Sequence, residues 1–112
     1  MAGREVYYIA GPQGAPTPEE RMLFAQRAAY VAKEVWFLGH GAICPHLNTY
    51  EFGQGELGYA DFLPADFEMI WRSDGIIMLP GWGDSKGACA EYWFALWSGT
   101  PVWFYPDLPE VA

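Results

Sequence analysis

The chain is 112 residues long, with 52% hydrophobic and 18% aromatic residues, a size and composition that fit one domain built around one apolar core. Its formal net charge is −8, and its six Lys and Arg residues are too few for the basic surface with which proteins bind DNA or RNA, although a single small nucleotide is still possible. The N terminus lacks the pattern of a signal peptide and no uncharged run could span a bilayer, so we expect a cytoplasmic protein without a membrane segment.

Cysteine and aromatic residues add two expectations. Cys44 and Cys89 lie in apolar contexts without metal-ligand spacing, so we expect reduced thiols and neither a metal ion nor another cofactor. The six Trp, seven Tyr and seven Phe residues exceed what a single small core can cover. We therefore expect self-association, as a homodimer or a larger oligomer, in preference to a monomer with partly exposed rings.

The first half of the chain predicts two strands joined by a long helix. Residues 6–10 are β-rich and end at Gly11-Pro12, as a buried strand entering a loop does. Thr17 is placed to cap a helix, with Pro18 at its first position and Glu20 completing a capping box. One apolar stripe runs along this helix to Gly39 or Gly41, and its members are Phe24, Ala28, Val31, Val35 and Leu38. Residues 42–44 form a short second strand, and residues 46–60 are predicted as an irregular loop.

The second half continues the alternation. A helix is predicted to begin near Leu63-Pro64 and to end at Arg72, and residues 75–79 form a third buried strand. Residues 80–84 form a loop, after which Asp84 or Ser85 caps a third helix that ends near Gly99. Residues 100–104 form the last strand, and the tail from residue 106 is predicted to be peripheral.

Alternating strands and helices with continuously apolar strands indicate a parallel sheet covered by helices on both faces. We expect a single domain over residues 1–112, an α/β three-layer sandwich of the flavodoxin or Rossmann type with four or five mainly parallel strands. Such sheets bind ligands at the carboxyl ends of their strands. Here those ends are followed by Gly11-Pro12, by Pro45-His46 and by Pro80-Gly81.

Glu91 is the most informative residue because it is the only charge between Gly87 and Trp97. An unpaired carboxylate in an apolar setting costs several kcal/mol, so it must be desolvated, paired or placed in a cleft, and such groups are often functional. It follows Ser85 by less than two helical turns, and helical side chains point towards the N terminus. Ser85 and Gly87 lie where free N–H groups favour an anion, although Ser85 could equally be a simple cap. The glutamate should therefore lie beside whatever this loop binds.

A carboxylate in this position suits glycosidic chemistry, in which one carboxyl group captures a sugar cation and a second protonates the leaving group. Asp66 is the candidate for the second group, although an ordinary solvated helix acid is an equal alternative. Tyr8, on the first strand, could contribute to the same edge or belong to the core.

Other polar and aromatic residues are predicted near the same edge. His46 and Asn48 follow the second strand, with an ordinary loop histidine as the favoured alternative for His46. Asp74 either contributes to the site or binds backbone amides at a strand edge, the latter being slightly preferred. Trp82 could stack on a base or simply cover the pocket.

Taken in order, these residues resemble a known family. The matching pieces are Tyr8 with Ile9-Ala10-Gly11-Pro12, Asp66 followed by Asp74, the run Leu79-Pro80-Gly81-Trp82, the run Ser85-Lys86-Gly87-Ala88, and then Glu91 and Ala95. Over residues 6–104 this order resembles the nucleoside 2-deoxyribosyltransferase superfamily, and in particular its small, mostly uncharacterised bacterial and phage members of the DUF4406-like branch.

The resemblance implies a flavodoxin-like fold that acts on the N-glycosidic bond of a small-molecule nucleoside or nucleotide. Glu91 would be the nucleophile, Asp66 would assist protonation of the leaving base, and Tyr8 would orient the glutamate or the sugar. Ser85 and Gly87 would hold the 5′ end of the substrate. Members of this superfamily usually form dimers or larger assemblies.

Two departures from the family pattern keep alternatives open. Nucleotide hydrolases of the superfamily carry an arginine shortly after the first-strand glycine, where this chain has Gln13, and the transferases carry a C-terminal asparagine that is missing here. The leading hypothesis is an enzyme that cleaves or exchanges the base of a 2′-deoxynucleoside or its monophosphate. The second is a non-catalytic nucleotide-binding or sensing module, and the third is a structural oligomer with Glu91 inside a helix interface.

Overall fold

The computed structural model describes residues 3–48 and 57–112, in which four strands alternate with helices. The strands are β1 (Val6–Ala10), β2 (Gly41–Ile43), β3 (Gly75–Met78) and β4 (Val102–Phe104), and the helices are α1 (Pro18–Phe37), α2 (Pro45–Asn48), α3 (Tyr59–Arg72) and α4 (Lys86–Ser98). The strand order is β2-β1-β3-β4 and every pairing is parallel. The all-parallel sheet confirms the predicted α/β class, and its strand order is that of flavodoxin-like sheets.

Successive residues of β1 point to opposite faces of the sheet, and each face has its own core. Tyr7 and Ile9 pack with the buried stripe of α1, whereas Tyr8 and Ala10 pack with buried residues of α3 and α4. The members of the α1-side core that come from the helix are Ala28, Val31, Ala32 and Val35. The sheet is therefore the middle layer of three, as predicted.

Helix ends follow the sequence signals closely. The Thr17 side chain accepts a hydrogen bond from the Glu20 backbone N–H at the start of α1. At the start of α4, the Ser85 side chain accepts one from the Ala88 backbone N–H. Gly39 and Gly99, just beyond the two helices, have φ values of +89° and +75°. L-residues with a side chain rarely adopt this left-handed conformation, which is why glycine ends both helices.

Two predictions about element bounds are wrong. The second predicted helix begins at Tyr59 instead of near Leu63, with Pro64 inside it, so the loss of one backbone donor early in the helix is tolerated. The loop predicted over residues 46–60 begins with the helical turn α2 and ends in α3, and its residues 49–56 lie outside the described part of the chain.

The C-terminal tail is also not peripheral. The His40 ring donates through Nε2 to the Glu110 carbonyl at 2.7 Å, and the Ala112 N–H donates to the Leu38 carbonyl at 2.8 Å. Leu108 packs on the α1-side core. No helix in the two described segments is long and apolar enough to cross a membrane.

Gly11 allows the loop after β1 to lie directly on the loop after β3. A Cβ placed on Gly11 would lie 2.8 Å from Leu79 Cβ, closer than real side chains approach, while the Leu79 N–H donates to the Ala10 carbonyl at 2.8 Å. Since Leu79 Cβ is fixed by the backbone, any side chain at position 11 must push the two loops apart.

Gly11→Ala is therefore expected to lower the free energy of unfolding by about 1–3 kcal/mol because of overpacking. Gly14→Ala is the matched control, since a Cβ at Gly14 meets nothing within 4 Å. Urea denaturation of both variants measures the difference. Equal midpoints for the two variants would show that the loops are not held together at this contact.

Candidate active site

A tyrosine and two carboxyl groups meet between the sheet and the helices α3 and α4. The Tyr8 hydroxyl, fully buried, donates a hydrogen bond to Glu91 Oε2. Glu91 is only 3% exposed and Asp66 9% exposed. Asp66 interacts with both Tyr8 and Glu91. The structure thus brings together the three residues that the sequence suggested for catalysis.

The sequence builds this cluster from a simple spacing. Ala88, Glu91 and Ala95 are the buried residues of α4, at steps of three and four, so they form one stripe that faces the sheet. The two alanines let the helix approach β1 closely, and Glu91 is the single polar residue in the stripe. Asp66 precedes the buried Ile70 by four residues and so lies on the inward face of α3.

Burial dominates the electrostatics of the cluster. The pKa of Glu91 is raised to about 8, mainly by desolvation and also by the neighbouring Asp66, while the Tyr8 hydrogen bond opposes the rise. Desolvation also raises the pKa of Asp66 to about 6, against the effect of its hydrogen bonds with Tyr8 and Glu91. The pKa of Tyr8 is raised by burial and by both carboxyl groups, so its phenol stays a donor.

These values describe a pair of carboxyl groups that hold one proton between them near neutral pH. Two carboxyl groups this close cannot both ionise easily, so the first to lose its proton leaves the other protonated. Hydrogen bonding between the two lowers the pKa of Asp66 and raises that of Glu91. The pair as a whole therefore retains one proton to a higher pH than two solvated carboxyl groups would.

The loops after β1, β2 and β3 converge near Pro12. The Pro12 carbonyl accepts a hydrogen bond from His46 Nε2 at 2.9 Å, which connects the β1 loop to α2. A Cβ on Gly81, which follows β3, would lie 3.5 Å from Pro12 Cγ. His46 is buried, and burial lowers the pKa of its ring to about 4. Asn48 lies at the exposed end of α2.

The N terminus of α4 has a capping serine and lies next to an aromatic cluster. Ser85 Oγ accepts from the Ala88 N–H at 3.2 Å, so Ser85 is a cap whose own hydroxyl proton is still available, and Gly87 lies in the first turn. Trp82 packs on Tyr92, with ring centroids 4.6 Å apart, and on Phe104 at 6.0 Å. Trp82 therefore contacts the protein's own rings on the β4 side.

Asp74 does not belong to this site, which corrects its assignment as a binding residue. Its Oδ2 accepts from the Val6 N–H at 2.8 Å, at the beginning of β1. A residue that precedes a parallel strand lies at the amino end of the sheet, opposite the edge where Gly11, Pro12 and His46 meet. The structural alternative, a residue that binds backbone amides at a strand edge, is confirmed.

The sequence did not predict the contacts of two side chains, Cys89 and His40. Cys89 is only partly buried, and its thiol lies 3.5 Å from the carbonyl oxygens of Trp82 and Gly83. His40, which is fully buried, received no role, and no periodic signal marks it. Within residues 3–48 and 57–112, no group of three or more His, Cys, Asp or Glu side chains is arranged to hold a metal ion.

Fold and site together define a flavodoxin-like α/β protein with a buried Tyr–Glu–Asp cluster on one side of the sheet. The chain belongs to the family described as Domain of unknown function (DUF4406), which matches residues 5–104. A comparison with curated proteins finds no match.

Solved structures share the fold. A 2-deoxyribosyltransferase from Bacillus psychrosaccharolyticus is 23% identical, with a TM-score of 0.54 over 88% of this chain and 70% of that one. A conserved protein from Enterococcus faecalis is 18% identical, with a TM-score of 0.62 over 91% of this chain and 63% of that one. The expected resemblance to deoxyribosyltransferases is thus confirmed at the level of the fold.

The raised pKa values predict how stability depends on pH. Glu91 has a pKa near 8 in the folded chain against an ordinary value of 4.5, so the folded state holds a proton that the unfolded state releases. The resulting stabilisation is complete below about pH 4.5 and is lost as the pH rises through 8. Glu91→Gln keeps an acceptor for Tyr8 but has no proton to lose, so its free energy of unfolding should not fall between pH 5 and pH 9. At pH 9 that free energy should be higher than in the wild type by a few kcal/mol, as an order of magnitude.

Urea denaturation at pH 5, 7 and 9 makes the comparison, with Glu19→Gln, an exposed acid of α1, as the control that should follow the wild type. A Glu91→Gln variant that follows the wild type across this range would show that the carboxyl group is solvated.

Proposed function

We propose that the protein cleaves or exchanges the base of 2′-deoxynucleosides or their 5′-monophosphates, with Glu91 as the nucleophile. The observation that carries this proposal is the buried cluster of Tyr8, Glu91 and Asp66, which supplies one carboxylate, one carboxylic acid and a phenol that donates to the glutamate. The fold of the Bacillus deoxyribosyltransferase supports it. We further propose that residues 1–112 form one domain of this type. The free thiols of Cys44 and Cys89 are those expected in the reducing cytoplasm.

The shared proton sets the order of steps. When the sugar is bound, Asp66 holds the shared proton and Glu91 is the carboxylate that attacks C1′, while Tyr8 donates to its other oxygen. The C1′–N bond breaks as Asp66 protonates the departing base. Water or a second base then attacks C1′ and releases the ester from Glu91, and the proton lost by this acceptor returns to Asp66.

The substrate would occupy the carboxyl edge of the sheet. Gly11, Pro12, His46 and Asn48 come to this edge from β1 and β2, and Ser85 with Gly87 come from the start of α4. Free N–H groups in the first turn of α4 suit the 5′ end of the substrate. Since Glu91 is 3% exposed, productive binding requires the side chains around it to move.

The same burial favours a second candidate, a nucleotide-binding or sensing module without catalysis. A carboxyl group that is already covered and hydrogen-bonded serves to hold β1 against α4. A module of this kind would bind nucleosides or nucleotides at the same edge and would release no base.

We also propose that the chain forms a homodimer or larger oligomer through the outer face of α4, which presents Trp93, Leu96 and Trp97. These side chains are 65%, 46% and 79% exposed. Trp71 of the neighbouring α3 is 59% exposed. Two copies with a net charge of −8 each repel each other, and the exposed residues of α4 after Lys86 add no further charge to this contact.

Glu91→Gln should abolish base release, by about a thousand-fold or more, because the amide is not a nucleophile. Chromatography of free base, with a panel of 2′-deoxynucleosides and their monophosphates, measures it. Glu19→Gln serves as the control with an unchanged fold and rate. Near-wild-type release by Glu91→Gln would refute the nucleophile, and binding without any base release by the wild type would establish the second candidate.

Trp97→Glu should convert the oligomer to a monomer of 12.6 kDa in sedimentation velocity, because it places a buried charge in the contact. Tyr30→Glu is the matched control, since Tyr30 is 65% exposed on α1, on the opposite face of the sheet. A wild-type chain that sediments as a monomer would overturn the proposed contact.

A further inference from the structure

The two histidines of the chain are both buried and both donate through Nε2 to a backbone carbonyl. His40 donates to the Glu110 carbonyl at 2.7 Å, and its Nδ1 accepts from the Glu5 N–H at 3.1 Å. His46 donates to the Pro12 carbonyl at 2.9 Å, but its buried Nδ1 has no hydrogen-bond partner in the described residues. His40 is thus satisfied on both sides, whereas His46 is satisfied on one.

The chemistry of the open atom follows from its partner across the ring. A carbonyl oxygen only accepts, so His46 Nε2 carries the proton and Nδ1 presents a lone pair. Burial lowers the pKa of this ring to about 4, against the opposite effect of the Pro12 and Gly11 backbone, so the ring remains neutral at physiological pH. The Nδ1 atom therefore needs a donor and offers no charge to a phosphate.

A buried acceptor without a partner is unfavourable, and a ligand that supplies the donor removes the penalty. His46 is 4% exposed and lies in α2, at the carboxyl edge of the sheet, bonded to the loop after β1. This is the edge where the proposed substrate binds. A 2′-deoxynucleoside offers hydroxyl donors on its sugar, and the phosphate of a monophosphate replaces one of them.

We propose that His46 Nδ1 accepts a hydrogen bond from a sugar hydroxyl of the substrate and selects nucleosides that carry this hydroxyl. The inference rests on the proposed function for the identity of the ligand. It assigns His46 as a specificity residue and Pro12 as the group that fixes its tautomer.

The test compares three probes with the wild-type chain: 2′-deoxyadenosine, 2′,3′-dideoxyadenosine and 2′,5′-dideoxyadenosine. Calorimetry measures binding and chromatography measures base release. One of the two dideoxy probes should bind at least about 10-fold more weakly than 2′-deoxyadenosine, because the missing hydroxyl leaves His46 Nδ1 unpaired. In ¹⁵N NMR, 2′-deoxyadenosine should shift the His46 Nδ1 signal, whereas His40, already bonded at Nδ1, serves as the internal reference.

Two variants separate the acceptor from the contact with Pro12. His46→Gln places an amide nitrogen near the position of Nε2, keeps the donation to Pro12 and has no acceptor at the position of Nδ1, so discrimination among the probes should disappear. His46→Asn places an amide oxygen near the position of Nδ1, so this variant should still discriminate among the probes. Retained discrimination in His46→Gln would overturn the proposal.

The outcomes also separate this inference from the proposed function. A shifted Nδ1 signal and selective binding without base release would support the role of His46 and refute catalysis. Base release without a shift of Nδ1 would refute the role of His46 and support catalysis. Absence of both binding and release, with these three probes and with the wider panel of 2′-deoxynucleosides and their monophosphates, would overturn both proposals.

Discussion

The hydrogen bond from Tyr8 to Glu91 is the interaction on which the rest of this structure depends. It joins the central strand β1 to α4 across 83 residues of sequence, inside a stripe that otherwise consists of alanine. The small side chains of Ala88 and Ala95 bring the helix close to the sheet, and this closeness is what removes water from the carboxyl group. A carboxyl group so desolvated remains only because a phenol donor and a second acid are within reach.

Burying these two carboxyl groups has a cost in stability. Buried carboxyl groups with raised pKa values make the folded state lose stability as the pH rises, and apolar residues of similar volume commonly stabilise such positions. Every other buried position of the inward stripe of α4 is apolar. The exception therefore needs a reason other than packing, and a pair of acids that share one proton is the arrangement that glycosidic chemistry requires.

Much of this could be predicted from the sequence, and the failures have physical causes. The capping signals at Thr17 and Ser85 and the spacing of Glu91 after Ser85 depend only on local geometry, so they placed α1, α4 and the glutamate correctly. Pro64 misplaced the start of α3, because the cost of a proline inside a helix, about 3 kcal/mol, is offset here by packing of the rest of the helix. Asp74 was assigned to the wrong edge, although its position before a parallel strand places it at the amino end. The open Nδ1 of His46 depends on a contact between residues 34 apart, which no local pattern reveals.

The two edges of the sheet differ in how their polar groups are used. At the amino edge, Asp74 accepts from Val6, His40 binds both Glu5 and Glu110, and Arg4 donates to the Gly39 carbonyl. These contacts are ordinary stabilising hydrogen bonds between elements that begin or end there. The carboxyl edge instead has an imidazole nitrogen without a donor in the described chain. An unpaired buried acceptor lowers stability, so the open nitrogen of His46 is the feature of this edge that the proposed ligand would account for.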